Sequence, residues 1–184
     1  SDLNLVEGAE FALKTVNEDE PISYRDRCMA ENIKRIIDSN EIEKAFIWAH
    51  NSHISKKEMI LGGKSYVPMG KHINDRFGDW YLAIAQEFGL GEIRTDSEEI
   101  ENPEYRELKD RTLSEKLMEL DSEISFIDLE NMDSENKETK IHSIGSTPRQ
   151  EQLDELYVEK KLSENFDALI FVKNSTASRP FSSD

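Results

Sequence analysis

"FIWAHNSHIS", residues 46–55, runs an apolar segment straight into two histidines, and the interpretation of the surrounding chain depends on it. The apolar run starts at Lys44 as "KAFIWA" (44–49). Because it is too short and too continuously apolar for an amphipathic helix, it predicts a strand buried on both faces. His50 then stands where the strand ends, and His53 follows within the same turn. A turn or short helical start there would bring both imidazoles to a common side.

The spacing of apolar residues elsewhere predicts an alternation of helices and strands. Helices are predicted at about 6–16, 23–38, after Pro68 (with Ile73 and Phe77), from a capping box of Thr112 and Glu115, and at about 150–164. Strands are predicted at 44–49, 80–88, 124–129 and 166–172, with polar loops after His53, at 95–106 and at 131–149. This order predicts an α/β fold, a three-layer arrangement in which helices flank a mostly parallel sheet.

Length and charge limit the classes of protein to consider. The 184 residues suit a single domain, 1–184, or a fragment of a larger one. A net charge of -16, from 23 basic and 39 acidic residues, argues against nucleic acid or an anionic membrane surface as partner. There is neither a signal-peptide pattern nor an apolar run of the roughly 20 residues that span a bilayer, so we expect a cytoplasmic protein. Cys28 stands alone and is expected to be a small, partly buried helix residue.

His50 and His53 are the candidate functional residues, since ligands of parallel sheets bind beyond the carboxyl ends of strands. An imidazole exchanges protons near neutral pH or donates a hydrogen bond to an oxyanion. Plainer interpretations stay open: His50 could end a strand with a backbone contact, and His53 could be a solvated loop residue. A zinc site needs a third ligand, and no nearby Cys or His supplies one, so no metal is predicted. His72 and His142 are expected to be ordinary surface residues.

Four stretches of the chain, taken in order, resemble the erythromycin esterase-like family. They are "YRDRCMAENI" (24–33), "FIWAHNSHIS" (46–55), "MGKHI" (69–73) leading into "YLAIAQEFGLG" (81–91), and "FDALIFVKNSTAS" (166–178). The first three are specific in combination, and the similarity runs from about Tyr24 to Ser178. Family members are considerably longer, and the similar part is their C-terminal portion.

The resemblance implies a bacterial hydrolase that cleaves a carboxylic ester by histidine-assisted attack of water, with a macrolactone, and hence macrolide resistance, among the candidates. His50 and His53 would be the catalytic residues and Asn51 would hold the turn between them. Arg25 would either stabilise the tetrahedral intermediate or pair with acidic residues as structure. Gly70 would permit close backbone approach, with free N–H groups available to an anion. No cofactor is implied.

The expected partners are a small-molecule ester substrate and the missing N-terminal portion of the same protein. That portion would carry the histidine that activates water, so we expect the chain to be inactive alone. The sequence contains no G-x-S-x-G elbow, which disfavours a serine hydrolase of the α/β-hydrolase type. Two alternatives stay open at this point: a haem- or small-ligand-binding module of related fold, and an inactive remnant of the esterase.

Overall fold

The computed structural model describes residues 21–40, 42–61, 64–93, 104–106, 113–130, 138–142 and 157–177. The helix predicted at about 6–16 lies outside the described residues. The chain divides into two compact units, Ser1–Ala83 and Ile84–Asp184.

The first unit is built on helices and a small hairpin. Helix α1 (Pro21–Asn40) confirms the helix predicted from Met29, Ile33 and Ile37. It is followed by the short helix α2 (Asn51–Ile54), strands β1 (Met59–Leu61) and β2 (Lys64–Tyr66), helix α3 (Met69–Phe77) and a 3-10 turn (Gly78–Trp80). Strands β1 and β2 pair antiparallel, so part of the loop predicted after His53 is a hairpin.

The segment 44–49 differs most from its prediction. It is extended, but it forms no ladder with any described residue, and Phe46 and Trp48 are 83% and 73% exposed. The prediction of a strand buried on both faces is therefore wrong, because a strand needs a neighbour to pair with and this segment has none among the described residues. On its other side lies a cavity of about 600 Å³, whose apolar lining includes Ile33, Ile37, Ile47, Ile73 and Phe77.

The second unit contains a four-stranded sheet, whose strands are β3 (Ile84–Ile93), β4 (Glu104–Arg106), β5 (Ile124–Asp128) and β8 (Ala168–Ser175). They lie in the order β4-β3-β8-β5. Strands β3 and β8 pair parallel, with Ile84 opposite Ala168, whereas β4 pairs antiparallel with β3 and β5 pairs antiparallel with β8. The described sheet is thus small and mixed, and the mostly parallel sheet expected from the sequence is not observed.

The core of the second unit forms where β3 and β8 lie side by side. Ala85, Leu169 and Phe171 are fully buried, together with Leu113 of helix α4 (Leu113–Leu117) and Leu162 of helix α5 (Leu162–Asn165). The strands predicted at 80–88, 124–129 and 166–172 are confirmed, although β3 begins only at Ile84 because the 3-10 turn occupies Gly78–Trp80.

Two further predictions in the second unit are wrong. The polar loop expected at 131–149 contains strand β6 (Glu138–His142), and the helix expected at about 150–164 contains strand β7 (Tyr157–Lys161). These two strands pair antiparallel with each other. Glu and Lys favour helix within "YVEKK", but pairing with a partner distant in sequence overrides such weak local propensity. Similarly, β4 lies at the end of the loop expected at 95–106.

Candidate active site

His50 begins the histidine turn, which we define as residues 50–54. Its extended backbone (φ -61°, ψ 148°) places it at the N-cap of α2, where its Nδ1 accepts a hydrogen bond from the Ser52 backbone N–H at 3.2 Å. The Ser52 hydroxyl oxygen lies 2.8 Å from the same nitrogen. The backbone N–H of His53 donates to the His50 carbonyl at 2.8 Å and closes the turn. A histidine thus does the capping work usual for Ser, Thr or Asp.

The His53 ring is held by a buried carboxylate. Its Nδ1 lies 2.9 Å and 2.8 Å from the two oxygens of Asp26, whose side chain is 0% exposed while that of His53 is 20% exposed. Asp26 Oδ2 also accepts the backbone N–H of Met69, at the start of α3, at 2.9 Å. Burying a carboxylate is costly unless it is paired and hydrogen-bonded, and these contacts meet that need. Because the carboxylate accepts at Nδ1, the second ring nitrogen of His53, Nε2, is left for proton exchange.

Two tyrosines hold the backbone of the histidine turn. The Tyr66 hydroxyl donates to the Ser52 carbonyl at 2.7 Å, and the Tyr81 hydroxyl donates to the Ile54 carbonyl at 2.7 Å. Both carbonyls belong to a one-turn helix, which cannot satisfy them internally. Burial raises the pKa of Tyr66 to about 12, and repulsion of a phenolate by the Asp26 carboxylate acts in the same direction. Tyr66 therefore stays protonated, and remains a donor, throughout the neutral range.

Gly70 brings α3 against the end of the histidine turn. A Cβ placed at Gly70 would lie 2.3 Å from the carbonyl oxygen of Ile54 and 2.7 Å from that of Ser55. Since both atoms belong to the backbone, no side-chain rotation relieves the clash. The absence of a side chain at Gly70 therefore allows the start of α3, with its Met69 N–H, to lie next to Asp26.

The structure places the other residues predicted from the sequence as follows. Asn51 is buried at the start of α2, His50 is exposed, and Arg25 is an exposed residue of α1 next to the buried Asp26. His72 is half-buried in α3, and His142 lies in β6. Cys28 is half-buried in α1, as expected.

Asp26, Ser52, Tyr66 and Tyr81 were not predicted as site residues. A signal for Asp26 exists in the sequence, because it precedes Ala30, Ile33 and Ile37 at helical spacing and so falls on the apolar stripe of α1. A carboxylate at such a position is rarely buried without a partner. For the tyrosines no comparable signal exists, since their carbonyl partners are specified only by the fold.

Neither a metal centre nor a membrane helix is found among the described residues. Within them, no group of three or more His, Cys, Asp and Glu side chains could hold a metal ion. The helices in the described part of the chain are also too short or too polar to cross a bilayer.

A mixed α/β protein with a carboxylate-supported histidine turn is the class that these observations define. The profile of the family described as "Erythromycin esterase" matches residues 2–175. The chain belongs to the erythromycin esterase family. Among curated proteins, none matches the chain.

Three solved structures share the fold at low sequence identity. They are a succinoglycan biosynthesis protein (16% identity, TM-score 0.71, 85% of this chain and 39% of that one), a Bacillus cereus protein (20%, 0.67, 84% and 39%), and a mutant of the erythromycin esterase EreC in its open conformation (20%, 0.62, 91% and 40%). The chain thus spans about two fifths of the length of each of these proteins.

Proposed function

We propose that the chain supplies one wall of the active site of an esterase-like hydrolase that cleaves a carboxylic ester, with a macrolactone among the candidate substrates. The observation that carries the proposal is the hydrogen bond between the fully buried Asp26 carboxylate and Nδ1 of His53. A carboxylate that orients a histidine is a recurring arrangement in acyl-transfer enzymes, because it fixes the tautomer and stabilises the imidazolium. Membership of the family supports the same reaction class.

In the proposed mechanism, a histidine in the remainder of the protein activates the attacking water. The histidine turn then stabilises the oxyanion and supplies the proton that the leaving group requires. Proton transfer by a positioned side chain typically contributes about 10²- to 10⁴-fold to a rate, and one oxyanion donor contributes a similar factor. Arg25 is exposed beside Asp26, and we propose that it adds positive charge near the oxyanion when the rest of the protein closes over it.

Asn51 and Gly70 support the turn in this proposal. Asn51 is buried at the first position of α2, where it holds the chain between the two histidines. Gly70 allows α3 to approach, so that the helix N-terminus lies beside the site. Both act through the placement of His50 and His53 and do not themselves exchange protons.

We propose that the partner of this wall is the N-terminal portion of a longer esterase-like protein, and that the chain is inactive without it. Phe46 and Trp48 support this, since they are largely exposed on an extended segment that immediately precedes His50. Large aromatic side chains exposed together indicate an interaction surface. In the complete domain, this segment would become one strand of a three-layer sheet flanked by helices.

The proposed function is tested by substitution in the complete protein. We expect His50→Ala and His53→Ala each to lower kcat/KM for an ester that the parent cleaves by at least about tenfold, without loss of the cooperative unfolding transition. His72→Ala, in the same unit but outside the turn, is the matched control and should leave kcat/KM within about twofold. Unchanged turnover in both turn variants would refute the proposal.

A further inference from the structure

We propose that one face of the four-stranded sheet in the second unit is the docking surface for an amphipathic helix with basic flanks, supplied by the N-terminal portion of the longer protein. The inference rests on the proposed function in one respect, since both require that portion. Its evidence comes from the second unit alone and involves no residue of the histidine turn. We call this surface the open face and define it by Ile84, Ile124, Phe126, Ile170 and Val172.

The opposite face of the same sheet is a packed interior. Helix α4 contacts both β3 and β8 there, and the hydroxyl of its Ser114 donates to the Glu87 carboxylate of β3 at 2.9 Å. Phe171 pairs with Glu87 across the parallel ladder, and both Phe171 and Leu169 are 0% exposed. Because side chains alternate between the two faces of a strand, the residues between these ones point away from α4.

The open face is apolar and accessible to solvent. Phe126 of β5 lies opposite Ile170 of β8, and two residues earlier Ile124 lies opposite Val172. Side chains that face each other across an antiparallel pair lie on the same side of the sheet and touch. Ile124 and Phe126 are each 66% exposed, while Ile170 and Val172 are half-buried. A contiguous apolar surface of this kind marks an interaction site.

A helix is the element that suits the open face. The sheets of α/β proteins bury their apolar faces against helices, and α4 already covers the other side of this one. A helix with its side chains is about 10–12 Å wide and strands lie about 4.8 Å apart, so one helix covers two strands, here β5 and β8. The solved structures that share the fold are longer, and this chain spans about two fifths of each. A longer protein of this fold therefore has the chain from which such a helix can come.

The charges around β5 specify the flanks of that helix. Carboxylates stand at both ends of the strand, and residues 119–130 include no Lys or Arg. Glu123, before the strand, accepts from the Asn174 amide at 3.3 Å, and Asp128, at its end, accepts from the Glu130 backbone N–H at 2.9 Å. Lys or Arg beside the apolar stripe of the helix would complement these carboxylates. A second copy of the chain would instead bring like charges together, which is unfavourable.

Hydroxyl-radical footprinting of the unaltered chain and of the complete protein tests the inference. The oxidation rate of Phe126 should fall by about fivefold or more in the complete protein, because burial removes most of the area of a side chain that is 66% exposed in the chain alone. Phe171, which is 0% exposed, is the internal control and should react slowly in both. Equal oxidation of Phe126 in both proteins would overturn the inference. Protection that grows with the concentration of the chain alone would also overturn it, since the occupant would then be a second copy.

Neutralising the carboxylates beside β5 tests the basic flanks. In the complete protein, the urea midpoint of the parent should fall with rising ionic strength more than that of Glu123→Gln combined with Glu130→Gln, because salt screens charge pairs that the variant lacks. Glu164→Gln is the matched control, since Glu164 lies in α5 and pairs only at the surface, 3.8 Å from Lys161, and it should behave like the parent. The same salt dependence in all three proteins would overturn the basic flanks.

Footprinting and ester turnover keep this inference apart from the proposed function. Protection of Phe126 in a complete protein that hydrolyses no ester would uphold the docked helix and count against the esterase. Ester turnover in a complete protein whose Phe126 is oxidised as fast as in the chain alone would overturn the docked helix and leave the esterase proposal standing.

Discussion

At the scale of single residues, the Asp26 carboxylate joins three parts of the first unit. It belongs to α1, accepts from the His53 ring in the histidine turn, and accepts from the Met69 N–H that begins α3. The sequence directs attention to the histidines and to the neighbouring Arg25, because those side chains have evident chemistry. The position of Asp26 on the apolar stripe of α1 indicates a buried carboxylate, but its partners are identified only in the structure.

Replacing this carboxylate should destabilise the protein. In Asp26→Asn one oxygen acceptor remains, but the charge is lost, and an amide N–H₂ faces either His53 Nδ1 or the Met69 N–H. A mismatched buried polar group costs about 1–3 kcal/mol, which urea denaturation measures. Asp38→Asn on the same helix is the matched control, because Asp38 pairs with Lys34 and Arg76 only at the surface and should cost at most about 1 kcal/mol. Equal losses in both variants would contradict this role of Asp26.

The Tyr66 hydroxyl should give the protein a distinctive loss of stability in alkali. Its pKa is raised from 10.0 in the unfolded chain to about 12 in the fold, so the fold favours the neutral phenol. That contribution is fully present below pH 10 and is lost as the pH rises through about 12. We expect the urea midpoint of the parent to fall over this range more steeply than that of Tyr66→Phe, while Tyr24→Phe, which keeps Tyr66, behaves like the parent. Identical pH profiles for parent and Tyr66→Phe would rule this contribution out.

At the scale of elements, local pattern predicts those pieces whose burial is set by their own spacing. The stripes of α1 and α3 and the apolar run of β8 were confirmed on that basis. The predictions for segments 44–49 and 157–161 were wrong because the secondary structure of both segments depends on strand pairing. Segment 44–49 has no partner strand among the described residues, and segment 157–161 pairs with β6. Which strands pair is a long-range property, and short-range periodicity does not contain it.

The contact between α3 and the histidine turn should depend on Gly70. In Gly70→Ala the new methyl group meets the backbone of Ile54, so α3 must shift away from the turn. Overpacking of this kind typically costs about 1–3 kcal/mol. Asp75→Ala, in the same helix, removes only a surface pair with Lys71 and should change the free energy of unfolding by less than about 1 kcal/mol. Thermal and urea unfolding measure both, and a neutral Gly70→Ala would show that α3 does not pack as closely as described.

At the scale of the whole molecule, the chain consists of two compact units, and the first of them carries the exposed aromatic side chains of Phe46 and Trp48. The solved structures of the same fold are each a little more than twice as long, because 84–91% of this chain matches 39–40% of theirs. The division between units and the lack of a pairing strand for segment 44–49 among the described residues could not be predicted from local sequence, because both depend on contacts between residues distant along the chain.

Phe46 and Trp48 should therefore contribute to the free energy of unfolding only in the complete protein. Serine at both positions removes exposed apolar area from the chain alone, where we expect unchanged or improved solubility and an unaltered unfolding free energy. In the complete protein, the same double variant should lose about 3–5 kcal/mol or more, the cost of truncating a buried aromatic side chain. The chain alone is the matched control, and equal insensitivity in both contexts would exclude a buried role for this segment.

The central claim is that the Asp26–His53 pair acts in ester hydrolysis, and kcat/KM of the complete protein carrying Asp26→Asn tests it most directly. We predict a fall of about 10²- to 10⁴-fold relative to the parent, with Asp38→Asn within about twofold of it. A folded Asp26→Asn protein that hydrolyses the ester as fast as the parent would contradict the claim.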